Sequence, residues 1–339
     1  MTLTKIPTCL ALWSLALGVL MAGCGKSDSS SDNDKRPIKI GFIVKQPEEP
    51  WFQLEWKFAR EAAKNNGFEL ISLGAADGDK VLAQIDNLAS NGARGFVICT
   101  PDVKLGTAIT KSAQDHDLKV IAVDDRFVDA TGQPMAKVHY LGISASKIGN
   151  MVGQALAEEM KQRKWPADET GVIAATFDEL PTAKERTDGA IQSLVAAGFP
   201  ADKVYKAPQK TADIPGSIDA TTIILTQHPN VKYWLICGNN DNAVLGAVRA
   251  TEARQIPAER VCGIGINGTD CIAEFQKPKT TGFHASVLLS ARDHGYKTAE
   301  MLFHWIKDGT EPPLETRTLG VLITRINYVQ VQTEQGITP

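Results

Sequence analysis

The sequence predicts an α/β fold of two doubly wound parallel-sheet domains with a ligand cleft between them, and three observations predict it. Short apolar runs of strand length alternate with longer amphipathic segments along the chain from residue 38 onward. Such alternation marks βα units laid on parallel sheets. The roughly 300 residues involved exceed what one hydrophobic core usually serves. The units also fall into two series, one ending near Tyr140 and the next beginning near Ser144.

From the N-terminus, residues 1–23 contain no acid, carry Lys5 near the start and run apolar from Cys9 to Gly23. A membrane span needs about 20 apolar residues. This run is shorter and has no basic cluster directly behind it, so it reads as an export signal. Leu20-Met21-Ala22-Gly23-Cys24 is similar to a bacterial lipobox, which would make Cys24 the lipid-bearing first residue of the mature chain. Leucine is more usual where Met21 stands, and cleavage to a soluble protein is the alternative. Residues 24–36 then form a flexible tether, because 27–34 offer only Ser, Asp and Asn and nothing to bury.

In the first series the strand-like runs are 38–44, 68–72, 95–99 and 120–123, with helical periodicity at 51–65 and 81–89. The second series has runs at 172–175, 233–237 and 261–266, with helices at 148–162 and 243–251. A last helix at 294–306 and a run at 319–323 follow. No period of 20 to 50 residues suggests a solenoid.

Composition and motifs exclude several functions. Loss of residues 1–23 removes only Lys5, leaving 35 basic against 39 acidic residues and a net charge of −4. Nothing in that balance invites nucleic acid. Cys99, Cys237, Cys262 and Cys271 are too few and scattered for a disulfide scaffold and lack zinc spacing. They read as small buried residues, with a Cys262–Cys271 bridge left open. Residues 263–268 (GIGING) match G-x-G-x-x-G after a strand, but no acid stands about 20 residues on to hold a ribose. A P-loop, G-x-S-x-G and H-E-x-x-H are all absent. The chain is therefore not expected to be an enzyme, nor to need a cofactor or metal.

Ligands of doubly wound sheets sit beyond the carboxyl ends of the strands. Those positions carry 45–52 (KQPEEPWF), Cys99-Thr100-Pro101, Asp124-Asp125, Asn239-Asn240-Asp241 and Asn267-Gly268-Thr269-Asp270. Taken singly, Asp and Asn there are frequent helix caps, and Trp51 and Phe52 could be ordinary core. Together they suit a monosaccharide. Its apolar C–H face wants flat aromatics, and its vicinal hydroxyls want fixed charged and amide groups. Lys45, Glu49, Asp125, Arg186, Asn240 and Asn267 supply that mixture, with Trp51 and Phe52 as the platform.

Five segments carry a family resemblance: IGFIVKQPEEPWF at 40–52, GFVICTPD at 95–102, VIAVDD at 120–125, GIGING at 263–268 and HGYK at 294–297. They resemble the type I periplasmic-binding family and, within it, binders of the L-arabinose type, over residues 38–326. The resemblance implies a three-segment hinge between domains 37–143 plus 291–319 and 144–290 plus 320–339. It further implies a monomeric protein that encloses one sugar by hinge closure and delivers it to the membrane permease of an ABC importer. Lys45, Glu49, Asp124, Asp125 and Asn267 would bond hydroxyls, with Trp51 and Phe52 against the ring and Cys99 lining the site. Leu180, Thr182 and Arg186 would come from a second-domain helix, with Asn240 and Asp270 at further positions. Ile143 and Asn239 stand where arabinose binders carry methionines. The alternatives are a sugar-responsive repressor of the same fold, which would need an N-terminal helix-turn-helix, and an NAD-linked sugar dehydrogenase.

Overall fold

In the computed structural model, which describes residues 37–337, the apolar runs pair into two six-stranded sheets. The export signal, Cys24 and the tether lie outside the described residues. The strands are β1 (Lys39–Val44), β2 (Glu69–Gly74), β3 (Ala93–Ile98), β4 (Lys119–Val123), β5 (His139–Ile143), β6 (Thr170–Thr176), β7 (Val204–Pro208), β8 (Tyr233–Gly238), β9 (Val261–Asn267), β10 (Phe283–Leu289), β11 (Glu315–Thr318) and β12 (Gly320–Thr324). The helices are α1 (Pro50–Asn66), α2 (Gly78–Ser90), α3 (Gly106–Asp115), α4 (Ala145–Gln162), α5 (Pro181–Ala196), α6 (Ile214–Gln227), α7 (Asp241–Ala253), α8 (Ile272–Phe275), α9 (Thr298–Lys307) and α10 (Tyr328–Glu334).

The first sheet runs β11-β5-β4-β3-β1-β2 and the second β12-β10-β9-β8-β6-β7. Strand pairs are parallel, except that β12 lies antiparallel on β10. An antiparallel edge is common on the parallel sheets of this fold class, and its cause here is the chain path. β11 closes the first sheet, Leu319 alone separates it from β12, and one residue leaves no length for a crossover. The chain also passes between sheets from β5 into α4 and from β10 into a π-helical turn at Asp293–Lys297 ahead of α9. The turn replaces the first part of the helix expected at 294–306.

Alternation places helices on both faces of the first sheet. Phe42, Val44, Val97 and Val123 join the α1 and α9 side, with Phe58, Leu302 and Phe303. Ile43, Phe96, Ile98 and Ala122 face α2 and α3 through Val81, Ile85, Leu88 and Ile109. Each such large side chain, fully buried, contributes about 1.5–3 kcal/mol. Two-sided burial of this kind turns parallel strands into continuous apolar runs. All four described cysteines are free and buried, so Cys262 and Cys271 are not bridged.

Candidate functional site

Between the sheets lies a cavity of about 630 Å³ lined from both. Lys45 follows β1, Glu49 stands at the N-cap of α1, and Trp51 and Phe52 occupy its first turn behind Pro50, whose fixed φ suits a helix start. Asp124 and Asp125 follow β4, and Ile143 ends β5. From the other sheet come Leu180 and Arg186 at the start of α5, Asn239 and Asn240 after β8, and Asn267 at the end of β9. These residues line the cavity; Cys99, Thr182 and Asp270 do not. Cys99 is fully buried, with its Sγ 3.8 Å from Asp125 Oδ2. The Thr182 hydroxyl donates to Asp125 Oδ1 at 2.6 Å, which bridges the two sheets' halves. Asp270 is half-buried and accepts from the Thr269 hydroxyl.

On the first-sheet wall the charges hold one another. Lys45 Nζ donates to Asp125 Oδ2 at 2.7 Å. Burial opposes the ammonium, but the Asp125 carboxylate more than offsets it and raises the lysine above its usual range. Asp124 adopts a left-handed φ of 63°. The Tyr140 hydroxyl holds its carbonyl at 2.7 Å. Its carboxylate accepts from His294 Nδ1 at 2.6 Å and from the Trp51 indole N–H at 3.2 Å. Burial works against that carboxylate, and these donors bring it below the usual range. Glu49 is pushed up to about 7, by burial and then by Asp270, with Lys45 opposing.

The second-sheet wall is fixed differently. α5 lies close on α4 because Gly149 and Gly189 permit it: a Cβ at Gly149 would fall 2.1 Å from the Arg186 carbonyl oxygen. Arg186, carried on that helix, donates through Nη1 to the Asn239 carbonyl at 2.7 Å, and its buried Nε has no partner among the described residues. Gln209 holds the Asn239 side chain at 3.0 Å. Asn240 caps α7 through Oδ1 to the Ala243 N–H at 2.8 Å and lines the cavity as well. The cap and the ligand-facing roles of that residue therefore coexist. Asn267 has φ 113°, and the loop behind it is pinned by Asp241, which accepts from the N–H groups of Gly268 and Cys271 and from the Ser286 hydroxyl.

The glycines of the 263–268 motif have structural work. A Cβ at Gly263 would meet Val244, and one at Gly265 would lie 2.3 Å from Asp241 Oδ1. They let α7 sit on β9 rather than cradle a pyrophosphate. Among the described residues, two groupings bring metal-ligand types within 4.8 Å of one another, Glu159–Cys262–His284 and Glu55–Asp124–His294. In the first, Arg163 donates to Glu159 and contacts His284 Nδ1, so a guanidinium already occupies the neighbourhood. The second lies directly behind the cavity wall. Sequence reasoning missed several lining residues, among them Phe177, Lys210, Thr211 and Asp213. The last three follow β7, a strand too polar to stand out in the sequence.

Comparison with known proteins adds the following. The family model described as periplasmic binding proteins and sugar binding domain of LacI family matches residues 37–330. An L-arabinose-binding periplasmic protein of Escherichia coli is 52% identical, over 88% of this chain and 92% of that one. An ABC transporter L-arabinose-binding periplasmic protein of Azospirillum brasilense is 48% identical, over 94% of this chain and 93% of that one. A periplasmic solute binding protein from Actinobacillus succinogenes, solved with bound D-allose, superposes with a TM-score of 0.72 at 18% identity. It covers 86% of this chain and 99% of its own, and shows the fold alone.

Proposed function

We propose, from the premise that this chain belongs to the family of periplasmic binding proteins and LacI-type sugar binding domains, that it captures L-arabinose outside the cytoplasm and delivers it to an ABC importer without altering it. The observation that carries the reading is the two-walled cavity. Lys45 and Asp125 on one side face Arg186, Asn240 and Asn267 on the other, with Trp51 and Phe52 as apolar surface. Neither wall alone can pair every hydroxyl of a sugar, and an unpaired buried hydroxyl is costly. A ligand that touches both walls therefore favours the closed arrangement.

The sugar-contacting set is Lys45, Glu49, Asp125, Arg186, Asn240 and Asn267, supported by Asp124, Cys99, Thr182 and Asp270. Ile143 and Asn239 act near sugar carbon 5, where an apolar contact is worth about 1–3 kcal/mol. D-Galactose and D-fucose then bind more weakly than L-arabinose, and D-glucose and D-ribose poorly. The moving bodies are 37–143 plus 291–319 and 144–290 plus 320–339. Relatives named as periplasmic support placing the chain in the periplasm, as a monomer. Cys24 is proposed to carry the lipid anchor, which Cys24→Ser would abolish.

A competition titration tests the ligand. D-Glucose or D-ribose outbinding both L-arabinose and D-galactose would end the proposal. Small-angle scattering with and without L-arabinose tests closure, which predicts a more compact profile at saturation.

A further inference from the structure

Behind the first-sheet wall, Glu55 of α1 is completely buried, as is His294 beside it. Among the described residues, neither oxygen of Glu55 has a hydrogen-bond partner. His294 Nδ1 is 3.7 Å from Glu55 Oε1, too far to donate, and is committed to Asp124 Oδ1 at 2.6 Å. His294 Nε2 is committed to Thr318 Oγ1, the Trp51 N–H to Asp124 and Lys45 to Asp125. Gly295 packs onto the Glu55 carbonyl so closely that a Cβ would fall 2.2 Å from it. An ionised carboxylate with no donor, fully buried beside a second carboxylate, costs far more than the same group carrying a proton.

We propose that Glu55 is a neutral carboxylic acid that donates its own proton to Asp124, and that this shared proton adds a further anchor for Asp124 in the cavity wall beside Trp51 and His294. The proton gives Glu55 a partner and removes a charge from a neighbourhood that already holds Asp124 and Asp125. Burial first, then Asp124, moves the Glu55 acid upward, in the same sense as the geometry. A metal ion on the triad fits less well. Zinc bonds are ~2.0–2.2 Å at tetrahedral angles, and the 2.6 Å between His294 Nδ1 and Asp124 Oδ1 is the span of a hydrogen bond, too short for two such ligands. Glu55 is thus a positioning residue that acts through Asp124.

The inference rests on the sugar reading for its affinity arm only. Infrared spectroscopy of the full chain at neutral pH should show a protonated-carboxyl C=O band that moves in D2O and is missing from Glu55→Gln. Glu55→Gln, which keeps a neutral donor, should bind L-arabinose as the unaltered chain does. Glu55→Leu, which has no donor, should lose about tenfold, one hydrogen bond's worth. No difference band at position 55, affinity lost equally in Glu55→Gln and Glu55→Leu, or one zinc per chain that Glu55→Gln abolishes would each overturn it. If Glu55→Leu does not fold, the band and the Glu55→Gln affinity decide. If no sugar binds the unaltered chain, the sugar reading fails while the infrared band still judges the proton.

Discussion

On the first-sheet wall of the cleft, Lys45, Asp124 and Asp125 are held by other side chains: by each other, by Trp51 and by His294. On the second-sheet wall, Asn240 and Arg186 are held through backbone, by a helix cap and a strand-end carbonyl, and the Asn239 side chain is held by Gln209. The first arrangement fixes charge, and its parts depend on one another. The second fixes direction, and each of its parts depends on an element that would form regardless. Substitutions on the first wall should therefore spread to neighbours, whereas those on the second should stay local.

The largest effect is expected from Asp125→Ala, which strips Lys45 of its partner and removes the Thr182 bridge. We expect the high end of the ~2–5 kcal/mol lost when one side of a buried charged contact is removed, and Arg186→Ala should fall lower in that range. Titration calorimetry giving near-native affinity in both would break the comparison. Next is the pH response of Glu49. Its folded-state value of about 7 lies above the ~4.3 of an unfolded glutamate. The folded chain therefore holds a proton that the unfolded chain has released, and this group's contribution to stability falls as pH rises from about 4.3 to about 7. If the carboxylate is the sugar acceptor, affinity drops as pH falls below about 7, by up to about tenfold per unit. Glu49→Gln should flatten that slope, and an unchanged slope would remove Glu49 from the site.

Smaller still, Asn240→Ala should cost about 1 kcal/mol of folding stability from the lost cap, with Asn240→Asp restoring it in a denaturant titration. A large stability loss that Asp does not restore would mean that this wall is interdependent too. The smallest effect belongs to Cys99→Ala. Its thiol stands behind Asp125 and does not line the cavity, so sugar affinity should move by well under the ~1 kcal/mol typical of a hydrogen bond.

The same contrast explains what could be read before any coordinates. β1, β3, β4, β6, β8 and β9 are legible because both of their faces are buried and the sequence runs apolar. β11 reads Glu-Thr-Arg-Thr; as an edge strand it is specified by its partner β5, and no local period reveals it. β7 ends in Lys-Ala-Pro and hid the loop that carries Lys210 and Thr211 to the cavity. The strand-end rule found Asp124, Asp125, Asn240 and Asn267, because topology alone puts them there. Glu55 was missed since an acid on a helix usually faces water. The signal was nonetheless present: Trp51, Phe52, Glu55 and Trp56 follow the i, i+3, i+4 spacing of one buried face. His294 lies in the HGYK segment of the family resemblance, but its bond to Asp124 spans 170 positions, a distance no local pattern reports.

Leu319, the lone residue between β11 and β12, sets a mechanical limit. One residue spans no more than ~3.6 Å of chain, so the two sheets cannot slide or separate at that corner and can only pivot about it. Lys104, which follows β3, and Lys210, which follows β7, line the cavity from the two sheets that this corner ties together. Lengthening the corner by two or three glycines would lift that limit here and leave the crossings from β5 into α4 and from β10 toward α9 to tie the sheets together.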